Sequence, residues 1–236
     1  YLFDQETQYP ITRIRASNLS ESATSEGRYA RYGKASLQDL DVLVLPGGYG
    51  LAAVFDSTQT AALRDWVRDG GTLVGTEQSA RFLTAGASGL TDVEALEDTT
   101  GSPIGPYTPY AARDDSAGLD YIPGAALRGT LDATHPLAYG LGDRVYSLTY
   151  GTTALEPSAD LQTAGHYVPD AEALRASGYA SQQNLQQLAG HTFAGTVEMG
   201  AGSVVFLVDN PHYRMFWRGP SRMMQNAVML VPGLLE

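Results

Sequence analysis

The chain of 236 residues contains no cysteine. That excludes disulfides, thiolate metal sites and a thiol nucleophile, and leaves the compartment open, since many exported bacterial proteins also lack cysteine. Lysine is almost absent as well, Lys34 being the only one, so nearly all positive charge is arginine. With 15 Lys and Arg against 26 Asp and Glu, the net charge is −11. Such a chain is a poor partner for a phosphate backbone, and no nucleic acid is expected. No apolar run approaches the roughly 18 to 20 residues that span a bilayer, and "AVMLVPGLL" is broken by Pro232 and Gly233, so no membrane association is expected. Low lysine with excess acid suits a salt-adapted or high-GC source.

What is present suits a folded protein, with 43% hydrophobic residues and length enough for one large core. "YLFDQETQ" reads as a helix that starts abruptly at Tyr1, "YPITRIRA" as a strand, and residues 18–34 as a polar loop. In "DLDVLVLPGGYG" the run Val42 to Leu45 is apolar on both faces, as in a central parallel strand. "DSTQTAALRDWVRDGG" follows as a helix, with Ser57 or Thr58 as its cap and Gly70-Gly71 as its stop. "TLVGT" is a further buried strand, and "QSARFLTAG" a helix leaving a sharp turn at Glu77. Strand and helix alternating in this order predict parallel pairing through right-handed crossovers.

Residues 86–126 are rich in Gly, Thr, Asp, Pro and Tyr and read as a loop-rich insertion. Beyond them the pattern turns to β: "LRGTLD", "RVYSLTY", "LQTAGHYV", then a hairpin through Gly200-Ala201-Gly202 in "HTFAGTVEMGAGSVVFLVD". "GPSRMMQNAVMLVPG" closes the chain as a helix with Pro220 in its first turn. The whole, residues 1–236, is expected to form a single α/β domain.

Four segments, "DVLVLPGG", "LRDWVRDGGTLVGT", "DATHPLAYGL" and "GAGSVVFLVDNPHYRMFWRGPSRMMQNAVML", together resemble the class I glutamine amidotransferase-like superfamily. They look most like the copy of that domain carried behind the catalytic domain of bacterial zinc carboxypeptidases of the carboxypeptidase A-like kind. The resemblance implies a flavodoxin-like three-layer sandwich with a mostly parallel sheet and a β-rich second half. It also implies that the chain is a fragment of a longer, exported bacterial protein, and that a further strand lies ahead of Tyr1.

In catalytic members of that superfamily a Cys sits at the strand-to-helix elbow, a His follows a later strand, and N–H groups near a Gly-Gly turn stabilise the oxyanion. By resemblance the elbow falls on Glu77 and the His position on Asn210, so both catalytic side chains are absent. Gly47 and Gly48 keep the turn, with Gly48 and Tyr49 as N–H donors. Gly47, Gly48, Tyr49, Glu77, Asn210 and His212 are therefore candidate ligand-binding residues, and His212 and Asp209 candidate replacements for lost chemistry. A carboxylate at a helix N-terminus is expected to be stabilised as an anion, with a lowered pKa, and to satisfy free N–H groups of the helix.

Ser79 lacks the flanking glycines of a G-x-S-x-G elbow and reads as the first turn of a helix. His135, His166, His191 and His212 show no H-x-x-E or H-E-x-x-H spacing, so no metal ligand set is expected. His135 reads as a turn cap, His166 and His191 as strand residues. Tyr213, Phe216 and Trp217, between Arg214 and Arg218, read as packing between the last strand and last helix, with stacking on a sugar, peptide or partner as the other reading. Tyr107, Tyr110 and Tyr121 pose the same choice.

The function expected from the resemblance is a non-catalytic accessory or interaction domain of a zinc carboxypeptidase. It would carry no cofactor of its own, with zinc in the parent, and would have the peptidase domain as partner. The alternatives are a hydrolase using Glu77 and His212, or a module binding a small molecule, peptide or carbohydrate.

Overall fold

A computed structural model describes residues 2–15, 36–97, 105–113, 119 and 121–234. Its centre is a sheet of eight strands in which β1 (Val42–Leu45), β2 (Thr72–Thr76) and β8 (Gly202–Leu207) run parallel, β2 lying between the other two. Every residue of β2 and β8 is buried, which requires cover on both faces and explains why their sequences do not alternate. This is the α/β sandwich expected for a flavodoxin-like chain, with parallel pairing concentrated around β2.

The β-rich second half is antiparallel. β7 (Thr192–Met199) forms the hairpin with β8, and β5 (Gln162–Tyr167), β3 (Gly124–Leu131) and β4 (Arg144–Thr149) extend the sheet from there. β6 (Arg175–Tyr179) also pairs with β3, through a register shift between Ala126 and Leu127. Neither β6 nor the short helices on either side of it, α4 (Ala171–Leu174) and α5 (Gln182–Leu188), is evident in the sequence patterning.

Helix α1 (Leu51–Val54) is a single turn after β1. Helix α2 (Ser57–Arg68) is capped by Asp56, one residue before the expected Ser57, because its carboxylate accepts the Gln59 N–H at 2.9 Å while the Gln59 side chain returns to the Asp56 N–H. The helix buries Leu63, Trp66 and Val67. Helix α3 (Gln78–Phe82) lies so close to β2 that a methyl group at Gly75 would meet the Ala80 backbone at 3.0 Å.

The last helix, α6 (Ser221–Met229), buries Met223, Met224, Ala227 and Val228. Its Asn226 donates to the carbonyls of Leu137 and Tyr139 at 2.9 and 2.8 Å, tying "MMQNA" to the turn in "DATHPLAYGL". The N-terminal expectations need correction. Leu2–Glu6 form a π-helical turn, and the following residues to Arg15 make no strand, only an isolated bridge at Ile14. The expected polar loop, residues 18–34, lies outside the described residues, as do parts of 86–126.

Candidate functional site

Three parallel strands end side by side, and each hands the chain to a site loop: β1 to Pro46-Gly47-Gly48, β2 to Glu77, β8 to Asp209-Asn210. Such strand ends are where open α/β sheets bind ligands. The elbow is built by backbone first. Glu77 N–H donates to Leu207 O at 2.9 Å, continuing the β2–β8 ladder, and the chain then reverses into α3 through φ 53°, ψ −125°. That is a left-sided conformation costly for a residue with a side chain, and such strain is stored where the surroundings over-determine it.

Two hydroxyls pin the elbow to the Gly-Gly turn. Gly47 N–H donates to Thr76 Oγ1 at 3.0 Å, and Ser79 Oγ donates to Pro46 O at 2.6 Å. Ser79 is fully buried in the first turn of α3, as expected of a structural serine. Gly47 is required by contact rather than by dihedral: a methyl group there would collide with the Glu77 carboxylate, which therefore lies directly over the turn.

The expectation of an acidic, capping Glu77 fails. Its side chain caps no N–H of α3, and its pKa is raised by burial, with a hydrogen bond from Asn210 pulling partly the other way. The five residues of α3 offer little dipole, and the carboxylate leans away from them onto Gly47. Asn210 adjoins Glu77, and its side-chain oxygen accepts His212 N–H at 3.1 Å. Glu77, Asn210 and Gly47 thus come together as the sequence suggests.

Asp209 and His212, the candidates for replacement chemistry, lie in the loop that carries Asn210. Asp209 points into the sheet, where one carboxylate oxygen, Oδ2, accepts from Ser147 Oγ at 2.5 Å, Tyr167 OH at 2.7 Å and Thr149 Oγ1 at 2.9 Å. Burial pushes its pKa up to about 6, the three hydroxyls lowering it against that and the Glu77 charge adding to it. Composition gave no hint of these partners, but one signal was present: in "RVYSLTY" the inward positions carry Val145, Ser147 and Thr149, two hydroxyls on a buried face.

Burial holds His212 below the usual imidazole range, and its Nδ1 is buried without a hydrogen-bond partner. Tyr49, on the rim, is 92% exposed. His135 caps its turn as expected, Nδ1 accepting Leu137 N–H at 3.1 Å. His166 lies in β5, whereas His191 precedes β7 by one residue and faces Glu156 at 3.5 Å. Among the described residues no three His, Asp or Glu side chains gather as a metal ligand set.

The aromatic segment departs from its core reading. Phe216 is 63% exposed, and Trp217 lies against the edge strand β4 with its indole N–H donating to Tyr146 O at 3.0 Å. Tyr213 stacks between Tyr150 and Phe216 at ring distances of 5.5 and 5.9 Å, with the Arg214 guanidinium over its face. These residues form an aromatic ridge beside the site. Tyr107, Tyr110 and Tyr121 are exposed too.

No protein-family model matches the chain, and no curated protein sequence matches it significantly. Solved structures do resemble it. A chain described as ThuA-like from Parabacteroides merdae superposes with a TM-score of 0.53 at 10% identity, over 98% of this chain and 81% of its own. A cytoplasmic protein from Salmonella typhimurium gives 0.50 at 14% identity, over 96% and 83%. A glutamine amidotransferase from Thermotoga maritima gives 0.47 at 9%, over 99% and 86%. At such identities the likeness concerns the fold alone, an α/β sandwich shared with the ThuA-like chain.

Proposed function

We propose that this chain is an amidotransferase-like domain whose thiol chemistry has been lost, and that it acts as an accessory or interaction module of an exported bacterial zinc carboxypeptidase. The observation that supports this reading is the pairing at the elbow. Glu77 keeps the strained backbone that presents a nucleophile, yet its carboxylate rests on Gly47 and against the Asn210 amide. An amide cannot accept the proton a nucleophile must lose, so the pair supplies neither a thiolate nor a base for one. A hydrolase using Glu77 and His212 gains no support from this geometry, since Asn210 holds His212 through its backbone N–H.

In this proposal zinc and peptide hydrolysis belong to the parent's peptidase domain, and this domain contributes surface. The test of the parentage is the upstream reading frame, expected to encode H-x-x-E followed by a distant His. A frame without a peptidase domain overturns the parentage and leaves the reading of the elbow untouched.

One observation favours a second reading, a module that binds a small molecule, peptide or carbohydrate. The aromatic ridge of Tyr150, Tyr213, Phe216 and Trp217 follows on from Thr149, whose hydroxyl donates to Asp209 in the loop after β8. A thermal-shift screen with amino acids, short peptides and neutral sugars tests it. A shift abolished by Phe216→Ala supports binding at the ridge; no shift with any of them removes the reading.

A further inference from the structure

Alternate residues of β3 and β4 are buried and the others lie open, so this end of the sheet has one solvated face, whereas β2 and β8 are covered on both. On the open face Tyr146 stands opposite Arg128, and Arg144 opposite Thr130. β6 adds Tyr179 opposite Gly124, and the Tyr150 ring lies over Gly124, where a methyl group would meet it at 3.2 Å. Tyr146, Tyr150 and Tyr179 are 53%, 40% and 44% exposed, so all three rings stand uncovered. Through Tyr150 the face runs into Tyr213, Phe216 and Trp217, which makes the ridge the rim of a larger aromatic surface.

We propose that this face is a docking surface for an acidic polypeptide segment, anchored on Tyr146 and Phe216 and drawn in by Arg128 and Arg144. The inference rests on reading the domain as an interaction module and names the chemistry of its partner. It does not depend on the identity of the parent.

The charge of the face selects an anion. Arg128 donates through Nη1 to the carbonyls of Ala173 and Arg175, which leave its charge in place. Arg214 lies over the Tyr213 ring. Arg144 meets Asp143 at 4.0 Å, and with both side chains well exposed such a pair neutralises little. A chain with 26 Asp and Glu against 15 Lys and Arg thus offers a local positive field, which steers and orients an anionic partner.

The residue types select a polypeptide. Tyrosine, tryptophan, phenylalanine and arginine are enriched at protein–protein contacts and at their hot spots. A small molecule on an open sheet face would keep much of its surface in water, where pockets for such ligands bury most of it. A nucleic acid brings a density of charge that a chain of net charge −11 repels, whereas a short acidic segment feels only the field within about 10 Å. A neutral sugar would leave the arginines unused. Trp217 closes one further route: its indole N–H occupies Tyr146 O on the edge strand β4, so a partner adds no strand there and is left the face.

Fluorescence anisotropy with a labelled peptide of alternating Glu and Phe reads the docking, beside the same peptide with Lys for Glu, a neutral cello-oligosaccharide and oligo-dT. The Glu peptide should bind saturably, with affinity that falls as salt rises, and the Lys peptide should not bind. Arg144→Glu and Tyr146→Ala, both at exposed side chains and read beside their denaturant midpoints, should each weaken binding about tenfold or more. Arg68→Glu, the same charge change on an exposed side chain of α2, should leave binding nearly unchanged. No binding of the Glu peptide, equal binding of the Lys peptide, or binding that survives Arg144→Glu and Tyr146→Ala overturns the proposal, and so does an equal loss in Arg68→Glu. Oligosaccharide bound in place of the peptide also overturns it but leaves a carbohydrate-binding ridge standing, and oligo-dT in its place makes the face a nucleic-acid surface. Turnover at the elbow would defeat the accessory reading and leave the peptide titration as it stands.

Discussion

The Asn210 side chain lies against the Glu77 carboxylate, where it works against the effect of burial on that acid, at the ends of the paired strands β8 and β2. The contact sets an amide against a carboxylate. The Glu77 N–H on Leu207 O and the Asn210 side-chain oxygen on His212 N–H hold the two residues in place.

Gly47 and Glu77 should behave as a coupled pair. Gly47→Ala forces a methyl group into the carboxylate, an overpacking expected to cost about 1–3 kcal/mol in urea denaturation. In a Glu77→Gly background the same change should cost much less, because the obstructing atoms are gone. Equal costs in both backgrounds would show that the carboxylate does not lie on the turn.

Glu77→Gly alone should stabilise the fold by about 1 kcal/mol. It relieves φ 53° at a residue with a Cβ and removes a half-buried acid, at the loss of one hydrogen bond to Asn210. Chemical denaturation at pH 7.5 measures it.

Asp209 gives the fold a pH dependence of definite sign. Its folded pKa of about 6 lies above the ordinary aspartate value of 3.8, so its contribution is most favourable below 3.8 and is lost as pH rises through 6. Asp209→Asn should remove up to about 3 kcal/mol of that dependence and equal or exceed the unaltered chain in stability at pH 7.5. Denaturant midpoints for both chains at pH 4.5 and 7.5 decide it.

Asn226 holds α6 to the turn after β3. Asn226→Ala leaves the carbonyls of Leu137 and Tyr139 without their donor and should cost about 2–3 kcal/mol. Asn226→Asp should do no better, since it replaces a donor by a charge facing two oxygens.

The parallel half of the fold was legible because its signals are local: a two-faced apolar run for β1, one apolar stripe for α2, Gly-Gly at its end. The elbow was legible for the same reason, and so was His135 as a turn cap. What escaped depends on distant partners. Burial against Gly47 reverses the expected shift at Glu77, and a residue 29 positions away in sequence supplies the N–H that Thr76 accepts. Phe216 and Trp217 read as core by residue type, yet they lie against an edge strand, where an aromatic can cover backbone and stay exposed. The cap of α2 slipped by one residue because Asp56, Ser57 and Thr58 are all competent caps and geometry chooses among them.

The central claim is that the elbow carries no chemistry. The most direct measurement is turnover by the purified chain, beside Glu77→Gln, with glutamine, activated esters, amides and aryl glycosides as substrates. Rates at the level of buffer, identical in both proteins, are the expected result. Turnover by the unaltered chain that is lost in Glu77→Gln would contradict the claim and make Glu77 a working catalytic group.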